Sequence, residues 1–197
     1  AGETAELPGM RPVAVAISPD GTLLATAGKT SQLVVFDLPA TNSPRFIPLP
    51  NEAAPVDDME TNNMKPDRKG QISYTGLVFS PDGKRIYLSN VNGSIKVFAV
   101  TADGVDPAGT WKLPGKAAPE RDAEVPAGLA VSTDGKRLYA CGSLSNQLHE
   151  LDTATGEVLR SIPVGMIPFQ VVLHDGMAYV SNRAGRRPVA GDTVETS

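Results

Sequence analysis

An all-β chain made of repeated antiparallel sheets is predicted by three observations. Four similar turns recur: "SPDG" at Ser18 to Gly21, "SPDG" at Ser80 to Gly83, "STDG" at Ser132 to Gly135 and "LHDG" at Leu173 to Gly176. Each is flanked by short runs rich in β-branched residues, the signature of strands bounded by turns. Glycine (19) and proline (17) punctuate the chain, no helical apolar period of useful length competes with them, and only 20% of residues are charged.

The chemistry of the turns is local. Proline presets φ for the first corner of a type I turn, aspartate bonds back to the backbone, and glycine takes the left-handed position that lets antiparallel strands continue. Each copy is therefore expected to be a β-hairpin. Before the turns stand "PVAVAIS", "YTGLVFS", "PAGLAVS" and "PFQVVL"; after them stand "TLLATAG", "KRIYLSN", "KRLYACG" and "MAYVSN". A third strand follows in three copies, "QLVVFDL", "SIKVFAV" and "QLHELDT", and a weaker fourth closes them, "RFIPLP", "GTWKLP" and "EVLRSIPV". Phe36-Asp37 and Leu151-Asp152 occupy equivalent places in their third strands.

Ser18 to Ser80 is 62 positions, Ser80 to Ser132 is 52 and Ser132 to Leu173 is 41. The shortest falls in the range of about 40 to 45 residues of a four-stranded propeller blade, and the longer two carry insertions. The expected architecture is a β-propeller that is incomplete in this chain, a partial propeller over residues 1–197. Blade one covers about 9–50, blade two about 72–115, blade three about 124–165, and the start of a fourth about 166–197. Residues 51–71, "NEAAPVDDMETNNMKPDRKGQ", and the shorter "GKAAPERDAE" are polar and without hydrophobic period, so both read as surface insertions. A β-sandwich would explain the strands but not the repeated Pro12, Pro126 and Pro168 ahead of the first strands.

The formal net charge of -4 and pI near 5.2 provide no general basic field for nucleic acid or anionic membrane. No apolar run approaches the roughly 18 residues of a membrane-spanning helix. The start "AGETAELPGM", without an initiator methionine, suits a mature end left by signal cleavage, which sets the expectation of a secreted or periplasmic protein. Cys141, in the strand "RLYACGS", is the single cysteine and reads as a buried small hydrophobe; it excludes an internal disulfide and a cysteine metal cluster.

Motifs for chemistry are sparse. The chain contains no Gly-x-Ser-x-Gly, His-Glu-x-x-His, P-loop or dinucleotide fingerprint. His149 on a third strand and His174 at a hairpin turn lack sequence neighbours that suggest a triad. Asp57, Asp58, Glu60, Asn62 and Asn63 lack the spacing of a calcium loop, and the turn aspartates Asp20, Asp82, Asp134 and Asp175 are accounted for by turn geometry. No catalytic residue, cofactor or metal is therefore expected. Arg183, Arg186 and Arg187 form the compact basic group; guanidinium forks suit carboxylates and phosphates, so this loop is a candidate contact for an anion or an acidic partner.

"IPVGMIPFQVVLHDGMAYVSN", Ile162 to Asn182, resembles the YVTN-type propeller repeat of YncE-like bacterial proteins, with Tyr179, Val180, Ser181 and Asn182 standing where the name-giving residues stand. "LDTATGEVLRSIPVG" is similar to the same repeat through Asp152, Thr155, Val158 and Ile162 to Gly165, and "GMRPVAVAISPDG" reproduces its approach through Gly9 and Pro12. WD40 repeats fit less well, because no Gly-His opens the blades and the third strands end in Phe-Asp or Leu-Asp rather than Trp-Asp. "SNRAGRRPVAGDT" looks like the fourth blade of larger bacterial proteins in which such a propeller precedes a phosphoesterase domain of the alkaline phosphatase superfamily. Blades that present loops on a rigid rim, in a chain where nothing demands catalysis, point to a recognition or scaffold module, its open blade edges covered by the remainder of the propeller or another protein chain. The alternative is part of an enzyme: a propeller attached to a downstream phosphoesterase, or a lactonase-like hydrolase.

Overall fold

A computed structural model describes residues 4–7, 10–28, 32–39, 43–50, 72–116, 122–190 and 192. Among them are fourteen strands and no helix. The first sheet holds β1 (Pro12–Ile17), β2 (Leu23–Gly28), β3 (Gln32–Asp37) and β4 (Arg45–Pro48). The second holds β5 (Ile72–Phe79), β6 (Arg85–Asn90), β7 (Ser94–Thr101) and β8 (Gly104–Lys112). The third holds β9 (Pro126–Val131), β10 (Arg137–Gly142), β11 (Gln147–Asp152) and β12 (Val158–Pro163). Strands β13 (Pro168–His174) and β14 (Met177–Asn182) form a two-stranded sheet. Every sheet is an antiparallel meander in chain order. The architecture is an all-β propeller with three complete blades and the opening hairpin of a fourth; the 51–71 insertion lies outside the described residues.

The turn chemistry repeats three times over. Ser18 Oγ donates to Asp20 Oδ1 at 2.6 Å and accepts the Leu23 amide at 2.9 Å, while the Gly21 amide closes the turn on the Ser18 carbonyl at 2.9 Å. Ser80 with Asp82 and Ser132 with Asp134 reproduce this arrangement, and Gly21, Gly83 and Gly135 all lie near φ +72 to +73°. These bonds hold the Asp20, Asp82 and Asp134 carboxyls below the usual carboxylate range, the serine hydroxyl being the largest cause in each. The fourth turn departs from the expected type I geometry. His174 pairs directly with Met177, leaving a two-residue loop in which Asp175 (φ 47°) and Gly176 (φ 73°) are both left-handed. That is a primed turn, and its lack of Ser and Pro is the local reason.

Side chains on both faces of each central strand are buried, so β6 is a continuous buried run from Ile86 to Asn90 rather than an alternating one. Blades pack face to face. Ala25, Ala27, Leu33 and Val35 meet Leu77, Ile86, Leu88 and Phe98 at the first joint. Tyr87, Ile95 and Val97 meet Leu129, Leu138 and Leu151 at the second. Ala127, Cys141 and Leu148 meet Val171 at the third. Cys141 is wholly buried, and burial pushes its thiol up to about 12, which suits the hydrophobe expected from its strand context.

One strand is longer than its sequence suggests. β8 begins at Gly104, through Asp106 and Pro107, because the two-residue turn at Ala102-Asp103 lets pairing with β7 start at once. Pro107 is tolerated because β8 is the outer edge of its sheet, where an amide need not be donated.

Candidate interaction rim

The sheets have two ends. At one end lie the Ser-Asp-Gly turns and the loops joining third to fourth strands; at the other lie the blade connections, the Ser143–Asn146 turn and the segment after β14. The second end carries the candidate arginines, and the structure gives each a different partner. The Arg183 guanidinium sits 4.9 Å from the centroid of the Phe169 ring, within cation–π range. Arg186 makes a two-pronged ion pair with Asp192, at 2.7 Å from each carboxylate oxygen, and this pair lowers the Asp192 carboxyl. Arg187 donates to the Val164 carbonyl at 2.7 Å and the Asn146 carbonyl at 2.5 Å. The three guanidiniums share one exposed loop without converging on one point.

Beneath this rim is a polar cluster that the motif search missed. Glu124, read as the end of a surface insertion, is fully buried. Its Oε1 accepts amides from Val125 (2.8 Å), Leu144 (2.9 Å) and Ser145 (3.3 Å), and its Oε2 lies 3.4 Å from Nε2 of the fully buried His149. His149 Nδ1 in turn meets Ser161 Oγ at 2.8 Å. Burial raises the Glu124 carboxyl, but the bonds from His149, Ser145 and the Val125 and Leu144 amides outweigh it and bring it to about 2. The cluster ties the connection entering blade three to the β10–β11 turn and to the outer strand β12. Carboxylate, imidazole and hydroxyl stand in a row, with one carboxylate oxygen held by three backbone amides and the other facing the imidazole, so the arrangement works as a rivet between the three segments. Only an acidic residue ahead of the Val-Pro that opens the strand could have signalled it.

The opposite end carries the turn aspartates and a cleft of ≈ 220 Å³ between blades one and two, lined in part by Asp20, Asp37, Arg45 and Gly104. Arg45 and Asp37, on the adjacent strands β4 and β3 of blade one, pair at its wall at 2.8 Å. No group of three or more His, Cys, Asp and Glu side chains is placed to hold a metal among the described residues. His174 is exposed beside Asp175, at 3.3 Å. Asp57, Asp58, Glu60, Asn62 and Asn63 lie outside the described residues.

The two outward faces of the stack are apolar. On blade one, Val15 and Ile17 are 65% and 58% exposed, beside Val13. On the two-stranded sheet, Val172 and Met177 are 62% and 59% exposed, beside Tyr179. No helix is long and apolar enough to cross a membrane.

Comparisons with known proteins agree on the fold. The WD40 family (WD domain, G-beta repeat) matches residues 4–37. That match reaches the Phe36-Asp37 pair, so the first blade carries enough of the WD40 pattern to be matched even though its Trp-Asp motif is absent. No curated protein matches the chain. Among solved structures, hydrazine synthase of Kuenenia stuttgartiensis is 20% identical with a TM-score of 0.61, over 87% of this chain and 40% of its own. The β-propeller domain of Cps50 (Swd1) from Myceliophteria thermophila is 15% identical with a TM-score of 0.62, over 88% and 49%. A functionally unknown protein from Desulfotomaculum acetoxidans is 17% identical with a TM-score of 0.63, over 87% and 49%. The chain thus spans less than half the length of each of these three proteins, and what it shares with them is the β-propeller fold.

Proposed function

We propose that these residues form a non-catalytic recognition or scaffold segment of a β-propeller, of the YVTN (YncE-like) type, within a secreted or periplasmic bacterial protein. The observation that carries the reading is the pair of apolar outward faces, Val13, Val15 and Ile17 at one end and Val172, Met177 and Tyr179 at the other. Propeller blades normally bury such faces against neighbours around a closed ring, so further blades or another protein chain belong there. The YVTN type is supported by Tyr179 to Asn182 lying on β14, next to the two-residue turn. Arg183, Arg186 and Arg187 are the rim residues offered to an anion or an acidic partner, the exposed Arg186–Asp192 pair being the part that could be exchanged for a ligand carboxylate.

A second reading, a propeller segment inside a larger enzyme, is favoured by the hydrazine synthase likeness, since that protein is an enzyme by name and this chain spans 40% of it. Assay of residues 1–197 against lactones and phosphate esters tests the first reading. No turnover is expected; turnover abolished by one substitution within the chain overturns it.

A further inference from the structure

The third complete blade and the fourth, partial one share a start but diverge after their second strand. After β10 the chain turns through Ser143–Asn146 into β11. After β14 it is diverted across the rim instead. The Arg183 amide bonds the Ile167 carbonyl (2.9 Å), the Ala184 amide the Met166 carbonyl (3.1 Å) and the Met166 amide the Gly185 carbonyl (2.8 Å), and Arg187 then clamps the loop to blade three. Among the described residues, this bonded diversion leaves no strand paired with the outer edge of β14. His174 and Met177 close the turn, so by antiparallel alternation the backbone groups of Ala178, Val180 and Asn182 point to that edge. There the Asn182 side-chain amide donates to the Val180 carbonyl (3.3 Å), and the buried Asn182 Oδ1 has no partner.

The chain itself records what fits such an edge. Opposite the positions equivalent to Ala178 (Leu24, Ile86, Leu138) stand Phe36, Phe98 and Leu151; opposite those equivalent to Ser181 (Ala27, Ser89, Cys141) stand Leu33, Ile95 and Leu148. All six are buried. The first set faces the preceding blade and the second the following one, as their core clusters require.

We propose that the β14 edge takes up one extended polypeptide strand from outside these 197 residues, antiparallel to β14 in the register of β10 with β11. Its pattern is polar–(Leu/Ile)–x–x–(Phe/Leu)–x, with the first residue opposite Asn182. Its Phe or Leu packs beside the half-buried Leu173 and Val180 that flank the buried cluster of Cys141, Leu148 and Val171, and its Leu or Ile extends the apolar face of Val172 and Tyr179. The addition follows the general mode in which main-chain bonds supply affinity and alternate side chains supply specificity. The inference rests on the recognition reading and gives it a partner of defined chemistry.

The test is hydrogen exchange resolved to single amides on dilute 1–197, with and without a synthetic peptide copying residues 146–153, NQLHELDT. Expected is slowing of about tenfold or more at Ala178, Val180 and Asn182. It should vanish when the peptide is N-methylated at the residues copying His149 and Leu151, or carries Ser in place of the two leucines copying Leu148 and Leu151. Protection at β4, β8 or β12 instead, or none, overturns the proposal. So does protection of the same amides by rising protein concentration alone, which identifies a second copy as the occupant. If the peptide fails while the outward faces still drive association, the recognition reading stands and the strand proposal alone falls.

Discussion

Gly156 lies against the indole of Trp111, so close that a Cβ at Gly156 would sit 2.3 Å from the ring. Trp111, from blade two, also meets the Tyr87 ring at a centroid distance of 5.4 Å, so the turn between β11 and β12 presses on an aromatic pair of the neighbouring blade. Gly156 is left-handed at φ +77°, which a side chain there would resist independently of the overlap. Gly156→Ala should therefore cost about 2 to 4 kcal/mol, backbone strain adding to overpacking. Trp111 is the single tryptophan of the chain, so its fluorescence reports this joint directly. Chemical unfolding of the variant followed at that signal checks the figure; an unchanged midpoint would show that the joint is loose.

The Glu124–His149 rivet makes acid stability predictable. The Glu124 carboxyl drops from an ordinary 4.5 to about 2 on folding, so its contribution is fully present above about 4.5 and is lost as pH falls toward 2. The lowered carboxyls of Asp20, Asp82 and Asp134 act in the same direction. Wild-type stability should fall through that window, by about 2 to 3 kcal/mol on account of Glu124. Glu124→Gln should be less stable at pH 7 and show a flatter slope below 4.5. Equal slopes for the two proteins would remove Glu124 from the account.

Turn chemistry differs between hairpins, and the difference is measurable. Ser80 is buried, donates to Asp82 Oδ1 at 2.5 Å and accepts the Arg85 amide at 2.9 Å, so Ser80→Ala strands a backbone donor and should cost about 1 to 2 kcal/mol. By strand pairing, not by position in the repeated turn, His174 is the counterpart of Ser80: it pairs with Met177 as Ser80 pairs with Arg85, but it is exposed and only flanks a two-residue loop. His174→Ala should stay within about 0.5 kcal/mol. Denaturant midpoints of the two variants settle it, and comparable losses would contradict the assignment of two turn classes.

Legibility from sequence tracked the range of the interaction. Ser-Pro-Asp-Gly turns and the strands beside them rest on bonds spanning two to five residues, and they emerged where expected. The length of β8 did not, because Asp106, Pro107 and Gly109 read as breakers until an edge position excuses them. Glu124 was hidden for the opposite reason: in sequence it closes a polar stretch, and its partners Leu144, Ser145 and His149 lie 20 to 25 positions away. The three arginines were legible as a group, but their division among Phe169, Asp192 and the Val164 and Asn146 carbonyls depends on how the loop folds back over blade three.

The outward faces give the last prediction. Val15, Ile17, Val172 and Met177 are each more than half exposed, at opposite ends of a stack whose interior joints bury the same kinds of residue. Repeat stacks without polar end caps associate through such faces. Residues 1–197 should therefore self-associate in a concentration-dependent manner. Because the faces are apolar, salt should not weaken the contact as it would an exposed ion pair. Val15→Ser with Ile17→Ser should reduce association by uncovering one face of its stickiness, and Val172→Ser with Tyr179→Ser should do so at the other. The four together should approach a monomer. These side chains lie outside the joints, so the unfolding midpoint should move little, which separates lost association from lost folding. Light scattering across a concentration series decides it: a wild-type chain that stays monomeric and unfolds cooperatively would mean that the end faces need no cover.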